Sequence, residues 1–379
     1  MARLSVHYIC PDCGAARDTD KPLWRCPECA SYLDLTDGPG LSPQGIDISD
    51  PSPWRYAAAL RVPRRGAVSM GEGGTPLVAR PWKGRTVQMK MDFLAPTGSF
   101  KDRGVAVLMS YLKQHGIASI LEDSSGNAGA AMAAYAAAAS IACRILVPAA
   151  APAGKLVQMR ACGADVVPVE GTRQDVSDAA LAEAESTFYA SHNWQPFFLE
   201  GTKTIAYEIW EQLGFRAPDN VIAPAGGGSN VIGCHIGFRE LLAAGQIEHM
   251  PRIFGVQAAN CAPVVAAFAA GADDYVPTQT QATVADGIAL ARPVRLRQML
   301  AAARETGGSI VAVEEEEILA ALKSLLRLGI FVEPTTAAGA AGLGRLLDAG
   351  TIGAGETTVL ILTGSGLKAS AKIGDLLGL

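Results

Sequence analysis

The chain of 379 residues lacks any run of basic side chains, and its net charge is −5. Nucleic-acid grooves and anionic membranes both call for clustered Lys and Arg, so neither is an expected partner. A long charge-free stretch of large apolar residues is also missing. The most apolar segment, Ala128 to Cys143, is mostly alanine and glycine and is closed by Arg144 and Pro148, which suits a buried helix better than a membrane span. The opening residues, MARLSVHYICPDCG, meet charge and proline before an apolar segment can form, so a secretory leader is not expected and the cytoplasm is. No internal repeat, no G-x-x-x-x-G-K-[ST] loop and no G-x-G-x-x-G fingerprint occurs, and the five histidines show no pairing pattern. A nucleoside triphosphate or dinucleotide is therefore unsupported, and a small-molecule substrate fits better. With 18% charged and 49% hydrophobic residues, the chain has the composition of a soluble enzyme large enough for two domains with full cores.

What is present begins with cysteine. Cys10, Cys13, Cys26 and Cys29 form C-x2-C-x12-C-x2-C, each pair followed closely by small or turn-forming residues. This is the spacing of two knuckles gripping one tetrahedral metal, and structural zinc is the expectation; a redox pair or a decayed metal site are the alternatives. Four protein ligands leave no open position, so such a site would staple residues 1–40, too few to bury a core, and would not catalyse. That segment carries six acidic against four basic side chains, which disfavours a nucleic-acid-binding ribbon. Cys143, Cys162, Cys234 and Cys261 lie in apolar surroundings and read as core residues.

After a Pro/Gly/Ser-rich connection at about 37–53, apolar runs of strand length alternate with helical patterns: ASILE, CRILVP, ADVVPV, NVIAPA, RIFGVQA, SIVAV and TTVLILTG. The alternation predicts an α/β fold with helix-covered, mostly parallel sheets. Ligands of such folds collect where strand ends lead into helices, and three polar, glycine-bearing segments have that placement: EDSSGNAG (122–129), APAGGGSN (223–230) and LTGSGLK (362–368). The second reads as an anion cradle, because consecutive glycines let backbone N–H groups converge on a phosphate at a helix start. A plain turn is the competing reading.

Upstream lies PTGSFKDRG (96–104). By itself it is also a helix start, with Ser99 as N-cap, Asp102 near the positive helix end, and Lys101 and Arg103 solvated. In combination with a monophosphate cradle, an asparagine loop and a hydroxyl after the last strand, it supplies the amine, amides and small polar groups that pyridoxal 5′-phosphate (PLP) requires.

The order of these motifs resembles the fold type II PLP enzymes of the threonine synthase and threonine dehydratase group, from GEGGTPL (71–77) to TGSGLK. LEGTKTIAYEI (199–209) and VEPTTAAGAAGL (332–343) reinforce it, and the cysteine ribbon is similar to the N-terminal extension of some threonine synthases. The resemblance implies two helix-covered sheets of the tryptophan synthase β type, with Lys101 as the Schiff-base lysine and Asn127 on the ring hydroxyl. Gly226, Gly227, Gly228, Ser229 and Asn230 would hold the phosphate, and Thr363 would face the pyridine nitrogen. Ser99 and Phe100 would flank the lysine, and Thr97, Ser124 and Ser125 would lie near the substrate carboxylate. Domains are expected at 1–40 (ribbon), 54–105 with 201–379 (large, cofactor-binding) and 106–200 (small). Elimination or replacement on a small amino acid follows, as in threonine synthases, which turn O-phosphohomoserine into threonine and phosphate. Ala95 departs from the asparagine usual before the proline, and ADGIAL (285–290) leans towards the dehydratases. A threonine or serine dehydratase, or another β-eliminating ammonia-lyase, is the alternative; a catalytically silent regulatory paralogue is the alternative of another class. A homodimer is expected. Glu333, Glu122 and Asp123 are further acids near these loops, with a solvated or capping role as the plainer reading.

Overall fold

The computed structural model describes residues 6–379; residues 1–5 of the expected ribbon lie outside the described residues. The elements begin β1 (His7–Ile9), β2 (Ala16–Asp18), β3 (Asp34–Leu35), β4 (Leu77–Trp82), β5 (Arg85–Lys90), α1 (Lys101–Gln114), β6 (Ser119–Glu122), α2 (Asn127–Ala139), β7 (Ala142–Pro148) and α3 (Ala153–Ala161). Next come β8 (Asp165–Val169), α4 (Arg173–Glu183), β9 (Phe188–Tyr189), α5 (Pro196–Thr202), α6 (Thr204–Gln212), β10 (Asn220–Pro224), α7 (Ser229–Ala243), β11 (Arg252–Ala258) and α8 (Pro263–Ala269). The chain ends with α9 (Leu296–Glu305), β12 (Ser309–Val313), α10 (Glu315–Arg327), α11 (Pro334–Asp348), β13 (Thr358–Ile361) and α12 (Ser370–Leu377). No described helix is long and apolar enough to cross a membrane.

Packing divides the chain into two compact units. Unit 1 takes the described residues up to Gly73 and Lys101–Thr202; unit 2 takes Gly74–Phe100 and Lys203–Leu379. Unit 1 holds a four-stranded parallel sheet in the order β8-β7-β6-β9 and a small antiparallel sheet, β2-β1-β3, in the N-terminal extension. Trp54, Leu60, Val62 and Val68 join the core of this unit, together with the apolar residues of α1 and α2. Unit 2 holds a six-stranded sheet, β12-β11-β10-β13-β5-β4, parallel except for β4. Its middle strands, β10 and β13, are buried at every residue, as expected of parallel strands covered on both faces.

All seven strand-length apolar runs of the sequence become strands: β6, β7, β8, β10, β11, β12 and β13. The β4–β5 hairpin is not among those runs. Its strands carry charges among short apolar alternations, and they join through Lys83 and Gly84, both at positive φ (45° and 73°), the backbone of a two-residue type I′ turn that usually shows asparagine first.

Helix α1 is buried from Asp102 to Leu112 and crosses α5 at backbone distance. A Cβ on Gly201 would stand 2.1 Å from the Arg103 carbonyl oxygen, and one on Gly104 would stand 2.5 Å from the Phe198 ring. Only glycine permits this approach. Gly201→Ala therefore forces the two helices apart; we expect a loss of about 2–3 kcal/mol, read as a lowered midpoint in urea unfolding, whereas Gly154→Ala, whose Cβ meets nothing within 4 Å, serves as the mild control.

Candidate active site and thiolate cluster

In unit 1, Lys101 is the first residue of α1, directly after the PTGSF segment. Ser99 is not its cap: Phe100 intervenes, Ser99 is fully buried, and its Oγ has no hydrogen-bond partner among the described residues. Asp102 and Arg103 are likewise buried, not solvated. Nζ of Lys101 lies 5.3 Å from the centroid of the Phe198 ring. Burial brings its amine down to about 8, against the opposing charge of Glu122. Ser124, Ser125 and Asn127 sit where β6 runs into α2, with Asn127 as the first helical residue and Ser124 and Asn127 half-buried.

Glu122 and Asp123 are neither solvated nor caps; they are 0% and 2% exposed. Glu122 accepts from the backbone N–H groups of Asp123 (3.0 Å) and His192 (3.3 Å), and His192 Nδ1 lies 3.3 Å from it. Asp123 accepts from Arg173 at 2.7 Å and from the Ser191 hydroxyl at 3.3 Å. Burial pushes both carboxyls up and holds the His192 imidazole well below its ordinary value, so the ring is neutral at pH 7. Sequence reasoning missed His192, whose partner Glu122 lies 70 residues away.

In unit 2, segment 98–100 lies along the loop after β13: Ser365 donates its backbone N–H to Gly98 at 2.9 Å, Phe100 donates to Thr363 at 2.9 Å, and Ser99 bridges Gly364. Thr97, Ser99, Phe100 and Thr363 are thereby brought together. The Thr363 hydroxyl is 2.9 Å from that of Thr336, in the first turn of α11. Glu333 takes the N-cap position of α11 without a side-chain cap bond and is half-buried.

Gly226, Gly227 and Gly228 connect β10 to α7, whose N-cap, Gly228, has φ 80° and no side-chain cap. The N–H groups of the first turn are thus left to another acceptor. A Cβ on Gly226 would meet the Ile288 Cα at 2.8 Å, and one on Gly228 the Met299 sulfur at 2.2 Å. Asn230, 1% exposed, has neither amide atom hydrogen-bonded among the described residues. Buried polar atoms of this kind are costly unless a ligand meets them, so the loop fits a phosphate. The buried lysines of unit 2 are committed: Lys90 to Glu208 and the Thr75 carbonyl, Lys203 to Glu240.

The four cysteines of the extension are gathered in unit 1. Their sulfurs all lie within 4.8 Å of one another, with Cys10 to Cys29 at 3.4 Å and Cys13 to Cys26 at 3.7 Å, and none is in a disulfide. A tetrahedron with Zn–S of about 2.3 Å places its sulfurs about 3.8 Å apart, so the cluster suits a metal. Burial raises the Cys10 thiol, but the backbone N–H groups of Cys13 and Asp12 outweigh it and bring it down to about 7. The Ser31 backbone N–H pulls Cys29 down, yet the surrounding sulfurs push it up to about 12. Deprotonating all four thiols at this spacing would call for a cation among them.

Residues 68–364 match the family described as pyridoxal-phosphate dependent enzyme. The chain belongs to that family. It is 37% identical to the threonine synthase of Methanosarcina acetivorans over 383 residues, spanning 98% of this chain and 94% of that protein. The threonine synthase of Methanocaldococcus jannaschii is also 37% identical, over 95% of this chain and 92% of its own. Among solved structures, the T.th. threonine deaminase superposes with a TM-score of 0.64 at 27% identity, over 77% of this chain and 92% of that one. Threonine deaminase isoform 2 from Solanum lycopersicum, at 24% identity and TM-score 0.70, shares the fold over 92% of this chain and all of its own. The family and these structures bear out the fold type II α/β architecture.

The two knuckles of this family member differ at one matched position. Each has its first cysteine accepting a backbone bond from the residue four places on, Gly14 at 3.0 Å and Ala30 at 2.9 Å, and both residues are left-handed (φ 71° and 61°). An L-residue with a Cβ is strained there by about 1–2 kcal/mol. Ala30→Gly should therefore tighten the knuckle, seen as a higher concentration of chelator needed to release the bound metal, while Gly14→Ala should act the opposite way.

Proposed function

We propose that the chain is a threonine synthase that converts O-phosphohomoserine and water into threonine and phosphate. The observation that carries this reading is the 37% identity to a threonine synthase over 98% of the chain, which includes the cysteine extension. PLP, when bound, supplies a carbonyl for an amine and a ring that withdraws electrons from the substrate's Cα. Lys101 would hold the cofactor through its amine, and as a free amine it would take and return protons on the substrate carbons, a role suited to an amine brought down to about 8. The N–H groups of Gly226, Gly227, Gly228, Ser229 and Asn230 bind the cofactor phosphate, Asn127 the ring hydroxyl, and Thr363 the ring nitrogen. Ser99 and Phe100 flank the lysine, and Thr97, Ser124 and Ser125 orient the substrate carboxylate. Loss of phosphate from Cγ and addition of water at Cβ complete the balance.

The same proposal assigns the large cofactor-binding domain to 54–105 with 201–379, the small domain to 106–200 and the ribbon to 1–40; by packing, 54–73 and 101–105 go with unit 1. Zinc is the metal of Cys10, Cys13, Cys26 and Cys29, closed by four sulfurs and hence structural. One observation favours a dehydratase instead: the dehydratase-like ADGIAL segment lies against the phosphate loop, where Ile288 limits Gly226. Incubation with O-phosphohomoserine, threonine and serine separates the two. Phosphate released from the first supports synthase; ammonia and 2-oxo acid from threonine or serine, without phosphate release, sinks it in favour of dehydratase.

Borohydride treatment of the cofactor-loaded protein should fix PLP on the peptide containing Lys101 and erase the visible absorbance, and Lys101→Ala should abolish both, with a loss of turnover of at least about a hundredfold. The lysine also predicts a pH dependence. Its amine is protonated below about 8 and free above it, so the rate at which the apoprotein takes up PLP should rise through pH 8 and level off above it. A lysine at its ordinary value of about 10.4 would keep rising to pH 10.

A further inference from the structure

We propose that unit 2 carries a second ligand site, a regulatory cleft for a small apolar monocarboxylate. A cavity of about 330 Å³ opens between the β4–β5 turn and helices α10 and α11. This size is that of a small-molecule pocket. Trp82 and Leu328 give it apolar surface, and the small side chains of Ala320, Ala340, Ala341 and Gly344 leave room above the helices. Its turn lies at the far end of the sheet from the phosphate loop: β5 runs parallel to β13 and reaches Ile361 through its last residue, Lys90, so Trp82 and Arg85 mark the opposite edge.

Charge selects the ligand. Three cations, Lys83, Arg327 and Arg345, line the cleft against two carboxylates, Glu317 and Asp348. Lys83 pairs with Asp348, and Arg345 with Glu317 at 2.7 Å and with Glu314, outside the cleft lining, at 3.8 Å. Arg327, in the last turn of α10, has no ion-pair or hydrogen-bond partner among the described residues. Arg327, though exposed, is the cation of the cleft that no carboxylate of the described residues meets, and a carboxylate is the planar acceptor a guanidinium binds best. Lys83 is held in place at a cost, since its backbone is left-handed (φ 45°), where asparagine or glycine is usual, and its stem crosses Gly344 at a distance a Cβ there would reduce to 3.0 Å.

Helix α11 links the cleft to the loops of unit 2. Gly344, Arg345 and Asp348 line the cleft near its C-terminus, about 15 Å from its first turn. There Thr336 accepts from the Gly364 N–H at 2.9 Å and touches the Thr363 hydroxyl, and Thr335 accepts from Gly287 at 3.1 Å, next to the Ile288 that abuts Gly226. A ligand that shifts this rigid helix shifts both loops at once.

The test uses the cofactor-loaded full chain and 4-methylpentanoate as probe, with 4-methylpentan-1-ol as the uncharged control. Ligand-observed NMR should show saturable binding of the acid and none of the alcohol. Arg327→Gln should weaken the acid about tenfold, and Ala320→Phe, which fills the cleft, should remove it. With the cleft saturated, the PLP dissociation constant should change at least about twofold. Absence of saturable binding by the unaltered chain, or equal binding of acid and alcohol, overturns the site. An Ala320→Phe variant of altered molecular mass in solution overturns it too, by making this face a contact between copies of the chain. An unchanged PLP affinity on a saturated cleft overturns the regulatory role. None of these readouts depends on which amino acid the enzyme consumes.

Discussion

The close crossing of α1 and α5 is the constraint on which unit 1 depends. Gly201 lies against the Arg103 backbone and Gly104 against the Phe198 ring, so the two helices meet where neither glycine position has room for a side chain. That contact fixes the first residue of α1, Lys101, and puts its amine over Phe198. The ring attracts a charged amine, worth about 0.5–2 kcal/mol, and Glu122 favours the charged form as well. Desolvation nevertheless outweighs the carboxylate, because the amine falls to about 8. The buried acids Glu122 and Asp123 are held with His192 and Arg173 in one hydrogen-bonded cluster beside it.

The same helix supports the N-terminal extension. Tyr111 of α1 stacks on Phe197 at 3.7 Å and shares a hydrogen bond of 2.7 Å with the Tyr8 hydroxyl of β1. Trp24 packs edge-on against Tyr189 and Trp194, at 5.2 and 5.4 Å. The ribbon is therefore seated on the helix that begins with Lys101, and a metal that orders the knuckles also completes a wall of that unit's core. In unit 2 the corresponding constraint is the glycine loop between β10 and α7, where Ile288 and Met299 leave no room for side chains at Gly226 and Gly228.

Much of the fold was legible before any coordinate. Parallel strands covered on both faces must be apolar at nearly every position, and so NVIAPA, TTVLILTG and their companions stood out as runs. The β4–β5 hairpin did not, because an edge pair tolerates Arg, Gln and Lys among its apolar residues and its Lys-Gly turn lacks the usual asparagine. The cysteine cluster was legible from spacing alone, since two short knuckles fix where their four sulfurs can be. The partners of the buried charges were not legible, because Glu122 with His192 and Lys90 with Glu208 are separated by 70 and 118 residues.

By itself the sequence determined which residues carry reactive or binding groups: an amine beside small hydroxyls, a glycine loop before a helix, four thiols in two knuckles. Those are local facts, set by covalent spacing and by the backbone freedom of glycine. Tertiary structure alone decided what state those groups are in. Ser99 reads as a helix cap in sequence and is a buried hydroxyl without a hydrogen-bond partner among the described residues; Glu122 and Asp123 read as solvated or capping acids and are buried with His192 and Arg173. Burial and electrostatic pairing are sums over every segment that packs around a group, and segments distant in the chain contribute most of that sum.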